Sequence, residues 1–196
     1  MIKDEEFENP YGLPGPTKEE IRVLTLSKAM VERGNTVADI GCGTGGISVQ
    51  AAGEVGEEGR VFAVDLNKRA VETTRTNAKK FGMESIIEVL HGEGFEILQS
   101  LPHLDATIVG GSGGHLREII EASYEKLRDK GHMVVNCITM ETCSGAFDAL
   151  KEVFGNVDVT LVMIANGKDL DFSTIMISRN PVMIMRSIKA GIKGEK

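Results

Sequence analysis

The residues best suited to chemistry gather at three places in the chain. Asp39 stands two residues ahead of the run Gly41-Cys42-Gly43-Thr44-Gly45-Gly46, Asp65 follows farther on, and Gly110-Gly111-Ser112-Gly113-Gly114 form a second glycine cluster. Glycines let a backbone approach a ligand closely and adopt positive φ without steric cost. Gly41, Gly43 and Gly46 have the spacing of a dinucleotide fingerprint, while Gly41, Gly43 and Gly45 equally fit the G-x-G-x-G pattern of S-adenosylmethionine sites. The glycines alone do not choose. Asp65 lies roughly 20 residues beyond the loop, where a carboxylate accepts both hydroxyls of a ribose. Both ligands carry a ribose, and Asp65 also reads as the cap of the next helix.

Charge separates the two. Between Gly34 and Gly59 there is no lysine or arginine. A helix N-terminus could still hold a pyrophosphate, but a carboxylate at Asp39 is unfavourable beside a dianion. The same carboxylate is useful beside an ammonium and a sulfonium, so the loop reads as an S-adenosylmethionine site. Glu93 and Gly94, in "HGEG", are candidates for the adenine end, although Glu93 reads equally as a solvated charge at a helix start. Gly110, Gly111, Ser112, Gly113 and Gly114 form a nest of amide donors suited to an anionic substrate. No Asp/Asn-Pro-Pro-Tyr/Phe tetrad follows that strand, which argues against amino methylation of a base. His91, His103, His115 and His132 are scattered without i, i+4 pairing, and no metal site is expected. His115 follows the second glycine cluster and reads either as an acid–base group or as a solvent-facing helix start. Lys168 and Arg179 each could pair with a substrate carboxylate or be isolated surface charges. No catalytic acid or base is assigned.

These residues need elements to position them. After an irregular N-terminal arm, residues 1–16, "TKEE" opens a helix with Thr17 as cap and Glu20 completing a capping box. On it Ile21, Leu24 and Lys28 share a face, with Val23, Leu26 and Met30 alongside, and Gly34 marks its end. Strands and helices then alternate: strands at 36–41, 60–65, 86–92, 104–111 and 132–139, and helices over 45–55, 68–82, 94–100, 115–131 and 141–154. Residues 157–167 and 173–185 read as two strands with no helix between them. Alternation implies a parallel sheet with helices on both faces, and the last two strands make a C-terminal antiparallel hairpin. The expected fold is a Rossmann-like α/β domain, 1–196, with a mostly parallel seven-stranded sheet. That order belongs to a methyltransferase sheet rather than to six parallel dinucleotide-binding strands.

At 196 residues the chain suits one core. A net charge of -7 and few aromatics argue against nucleic acid and acidic membranes as partners. Cys42, Cys137 and Cys143 are odd in number and lack C-x-x-C spacing, which suits a reducing, cytoplasmic setting. No signal-peptide pattern and no spanning apolar run is expected.

Four segments together, "PGPT" at 14–17, "DIGCGTGG" at 39–46, "VGGSGGHL" at 109–116 and "ISRNP" at 177–181, resemble the cobalt-precorrin-6B C15-methyltransferases of cobalamin biosynthesis. The resemblance spans nearly the whole chain. It implies a class I, S-adenosylmethionine-dependent methyltransferase that methylates carbon 15 of a corrinoid precursor and decarboxylates the acetate at carbon 12. It further implies cofactor contacts at Thr17, Gly41 through Gly45, Asp65 and Gly94, and a homotetramer. Competing readings are a methyltransferase acting on RNA, protein or another small metabolite, a nicotinamide-dependent oxidoreductase, and a non-catalytic S-adenosylmethionine-binding regulator.

Overall fold

A computed structural model describes residues 2–191, so Met1 and residues 192–196 of the expected domain lie outside the described residues. Fifteen named elements follow a short 3-10 turn at Asp4–Glu6. They are α1 (Glu19–Lys28), β1 (Thr36–Ile40), α2 (Gly46–Val55), β2 (Arg60–Asp65), α3 (Lys68–Lys80), β3 (Ile87–His91), α4 (Gly94–Ser100) and β4 (Leu104–Val109), then α5 (Leu116–Lys126), β5 (Leu127–Cys137), α6 (Met140–Phe154), β6 (Asp158–Val162), β7 (Ala165–Leu170), β8 (Ser173–Ser178) and β9 (Val182–Ile188).

The main sheet has seven strands in the order β3-β2-β1-β4-β5-β9-β6. The first five are mutually parallel, and β9 runs antiparallel between β5 and β6. The strand order reverses between β1 and β4. There the two following loops must diverge, leaving a crevice at the strand ends. Each face is covered. On one, Ile21, Leu26, Ile47, Val55 and Ala78 pack on Val37, Val61 and Ile108. On the other, Leu98, Ile119, Ile120, Ala146 and Leu150 pack on Ile40, Phe62, Val64 and Val135. Burial on both faces accounts for the uninterrupted apolar run Val61–Val64 in β2, while the buried polar residues Asp39 and Thr107 interrupt those of β1 and β4.

Five expectations need correction. Thr17 does not cap α1: the capping position is Lys18, with no side-chain hydrogen bond, and the helix stops at Lys28 rather than near Gly34. Its buried side is Ile21, Arg22, Thr25 and Leu26, while Val23, Leu24 and Met30 are exposed. α5 ends at Lys126 instead of Gly131, because Leu127 is buried and pairs with Leu104, so sheet pairing overrides helical propensity over 127–131. Finally, each of the two expected C-terminal strands is split. The chain leaves the sheet after β6, forms the separate ribbon β7–β8, and returns as β9. The Arg179 N–H donating to the Ile164 carbonyl at 2.8 Å closes the base of that ribbon.

Candidate active site

The crevice opens into a cavity of about 1070 Å³ at the carboxyl ends of the strands. Its floor is the loop after β1. Gly41 has φ +72° and its amide donates to the Val64 carbonyl at 2.8 Å. An added Cβ at Gly41 would lie 2.4 Å from the Gly111 carbonyl oxygen, so the two glycine loops meet backbone to backbone. Only glycine permits both the conformation and the approach.

Asp65, at the end of β2, accepts from the Gly43 amide at 2.9 Å through Oδ2 and from the Asn67 amide at 2.8 Å through Oδ1. Each oxygen retains a lone pair for a ligand hydroxyl. Asp39 is 1% exposed. Its Oδ2 accepts from Ser48 Oγ at 2.5 Å, while its Oδ1 is buried without a partner. Burial pushes its pKa up to about 7, with Asp65 adding to the rise and the Ser48 hydrogen bond opposing it. Asp39 lines the cavity, and its buried oxygen without a partner leaves room for a counter-group such as a cation. Thr44 Oγ1 is likewise buried and unpartnered at the same wall.

Thr17, Asp39, Gly41, Cys42, Gly43, Thr44, Asp65, Glu93 and Gly94 all line this cavity, as do Gly110, Gly111, Ser112 and Gly113. Gly45 and Gly114 do not. Gly45 instead caps α2 at φ +80°, with its missing side chain facing Thr74. The second glycine cluster is less free than its composition suggests: the Gly110 and Gly111 amides both donate to the Ile40 carbonyl, at 2.9 and 3.4 Å. The remaining nest is therefore Ser112–Gly114. His115 lies outside the cavity, at the start of α5, 3.4 Å from Glu118 and against the Phe95 ring. Lys168 sits on the exposed ribbon, whereas Arg179 reaches the cavity wall. Burial pushes the Cys42 thiol up, so it packs rather than reacts.

The N-terminal arm forms a wall that sequence reasoning left as irregular chain. Leu13 through Thr17 border the cavity. Two buried side chains peg the arm down. Asn77 of α3 bonds both backbone groups of Glu8 and also donates to the Thr44 carbonyl at 2.8 Å. Arg22 of α1 is fully buried. It donates to Asp4 at 2.8 Å, to the Thr17 carbonyl at 2.5 Å and to the Ile2 carbonyl, under the Phe7 ring. Neither peg carries a local signal; each is a polar residue in a helix whose partners lie far off in sequence. Asn136, Ile138 and Asn180 also line the cavity, and none of the three carries a local pattern that points there.

Comparisons with known proteins bear on the family and the fold. Residues 14–189 match the family model described as a precorrin methyltransferase domain. A probable cobalt-precorrin-6B C(15)-methyltransferase (decarboxylating) from Saccharolobus solfataricus is 40% identical over 197 residues, covering 100% of this chain and 95% of that one. Among solved structures, a precorrin 8W decarboxylase from Methanobacterium thermoautotrophicum superposes with a TM-score of 0.90 at 37% identity, covering 95% of this chain and 99% of the other. A precorrin-6y C5,15-methyltransferase from Geobacter metallireducens superposes with a TM-score of 0.89 at 34% identity, covering 96% and 98%. Because the family model spans residues 14–189 and the relative from Saccharolobus solfataricus is alike over the full length of the chain, the chain belongs to the precorrin methyltransferase family.

Proposed function

We propose that the protein is an S-adenosylmethionine-dependent methyltransferase that methylates carbon 15 of cobalt-precorrin-6B and decarboxylates the acetate at carbon 12; the names of two relatives give C(15)-methylation of cobalt-precorrin-6B and a decarboxylation for those proteins. The observation that carries the reading is Asp39, buried at the cavity wall with one oxygen unpaired. That arrangement suits a cationic ligand and opposes a pyrophosphate. When bound, S-adenosylmethionine supplies an electrophilic methyl group on a sulfonium.

The protein's own contribution is placement. Asp65, fixed by two amides, accepts the ribose hydroxyls. Glu93 and Gly94 border the adenine end. Gly41 through Thr44 and Thr17 enclose the body of the ligand, with Gly45 shaping the turn behind them, and Asp39 balances its positive charge. Gly110, Gly111, Ser112 and Gly113 face the acceptor, with Ser112 and Gly113 offering amides to its carboxylates and Gly114 lying just outside the cavity. Enclosure orients donor and acceptor carbon for in-line transfer and excludes water from the methyl group. The conjugated macrocycle provides the electron sink for loss of carbon dioxide, and the CH2 carbon left behind then takes a proton from the medium to become a methyl group; no side chain is assigned to that transfer.

The assembly we propose is a homotetramer in the cytoplasm. The ribbon β7–β8 is exposed along its length, with Leu170, Phe172, Ile175, Met176 and Ile177 in solvent. A two-stranded ribbon is marginal alone in water, and β6 beside it is an open sheet edge carrying exposed Val159 and Leu161. Copies of the chain covering these surfaces would satisfy both. Among the described residues no helix is long and apolar enough to cross a membrane.

Calorimetric titration tests the cofactor half. S-adenosylmethionine should bind and NAD should not, and Asp65→Ala should cost about tenfold or more in S-adenosylmethionine affinity. Tight NAD binding would return the site to the oxidoreductase reading.

A further inference from the structure

The charged side chains on the cavity wall are segregated by the sheet itself. Asp39, Asp65 and Glu93 lie at the ends of β1, β2 and β3, one side of the crevice. Lys18 and Arg179 lie on the other side, where α1 begins and where the chain enters β9 beside β5. Arg179 is held there from two directions. Its amide is tied to Ile164, and its Nη1 pairs with Glu20 at 2.6 Å and approaches Asp4 at 4.0 Å. Glu20 is itself engaged by Asn166 of β7 at 3.5 Å. The side-chain contacts Arg179 makes among the described residues run through Nη1. Its remaining donors, on Nε and Nη2, form the fork edge that matches a carboxylate.

We infer that Arg179 is the docking residue for a carboxylate of the macrocyclic substrate, exchanging its Glu20 partner for that carboxylate on binding. The inference rests on the proposed reaction, whose substrate carries several carboxylates. Glu20 acts as a placeholder: it neutralises the guanidinium in the free protein and holds it at the cavity wall, so little rearrangement is needed when the substrate arrives. The exchange also separates the two ligands. A polycarboxylate is repelled from the Asp39, Asp65 and Glu93 side and drawn to Arg179, Lys18 beside it being paired with Asp4 at 3.3 Å, which leaves the cationic methyl donor its own half of the cavity.

A docking role and a purely structural latch between α1 and the β8–β9 junction predict different mutants. As a latch, Arg179→Gln and Glu20→Gln would break the same ion pair and behave alike. As a dock, they diverge. The experiment is anaerobic titration of cobalt-precorrin-6B into the full-length protein saturated with S-adenosylhomocysteine, followed by absorbance of the macrocycle. Arg179→Gln should weaken macrocycle binding about tenfold or more, Arg179→Lys should recover part of that loss, and Glu20→Gln should tighten binding about twofold. Affinity for S-adenosylhomocysteine should stay within about twofold in all three. Arg179→Gln matching the wild type, or Glu20→Gln weakening binding as much as Arg179→Gln, overturns the assignment. Failure of the wild type to bind the macrocycle would instead overturn the proposed reaction, and this role of Arg179 with it.

Discussion

Replacing Asp39 with asparagine isolates the electrostatic strain at the cofactor wall. The aspartate has an ordinary pKa of 3.8 and a folded value of about 7. The folded protein therefore holds the proton more tightly than the unfolded chain. The stability this group contributes is fully present below pH 3.8 and is lost as pH rises through about 7. Over the whole window the loss is about 4 kcal/mol. Between pH 6 and pH 8 the same relation gives about 1.4 kcal/mol. For a chain of this length that corresponds to roughly 3–6 °C in Tm. Asparagine keeps an oxygen that accepts from Ser48 but cannot ionise, so its cost is independent of pH. Thermal denaturation of both proteins without cofactor should show the wild type losing those degrees relative to Asp39→Asn between pH 6 and pH 8. Cofactor affinity should run the opposite way. If the ionised form receives the cation, wild-type affinity for S-adenosylmethionine rises up to about tenfold over the same interval, and the variant is weaker with that rise removed. Parallel Tm curves for the two proteins would refute the buried, raised carboxylate and the cation-receptor argument built on it.

Other perturbations separate parts of the architecture. Gly41→Ala should abolish detectable S-adenosylmethionine binding and lower stability by about 1–3 kcal/mol, because its Cβ meets Gly111 at van der Waals overlap. Circular dichroism melts and calorimetry read both. Asn77→Ala should release the arm, which limited proteolysis would detect as cleavage near Glu8 to Thr17, with cofactor affinity falling about tenfold. Replacing residues 165–178 with a short turn should yield a smaller assembly by light scattering while S-adenosylmethionine affinity is retained. An unchanged mass would remove the ribbon from the assembly interface.

The parts of this site legible in sequence are those built from short, local patterns. Alternating apolar strands and amphipathic helices gave the five parallel strands, and the loop glycines with Asp65 fell at the strand ends where the topology leaves a crevice. Asp39 was legible because a charge in a buried strand is conspicuous. What escaped depends on long-range pairing. Arg22 looks like a solvated helical arginine until Asp4, Ile2 and Phe7 are folded over it. Asn77 looks like a weak helix former until it bonds Glu8 and Thr44. Leu127 to Gly131 carry helical residues but are claimed by pairing with β4 and by the return of β9. The ribbon β7–β8 continued the strand pattern on each side, so nothing in composition marked where the chain leaves the sheet.

The most direct test of the central claim is anaerobic incubation of the protein with S-adenosylmethionine and cobalt-precorrin-6B, reading product mass and released carbon dioxide together. The expected product has gained one methyl group and lost one carbon dioxide. A product that gains the methyl and keeps its carboxylate would confine the protein to methyl transfer. Bound cofactor with no change in the macrocycle would contradict the proposed reaction outright.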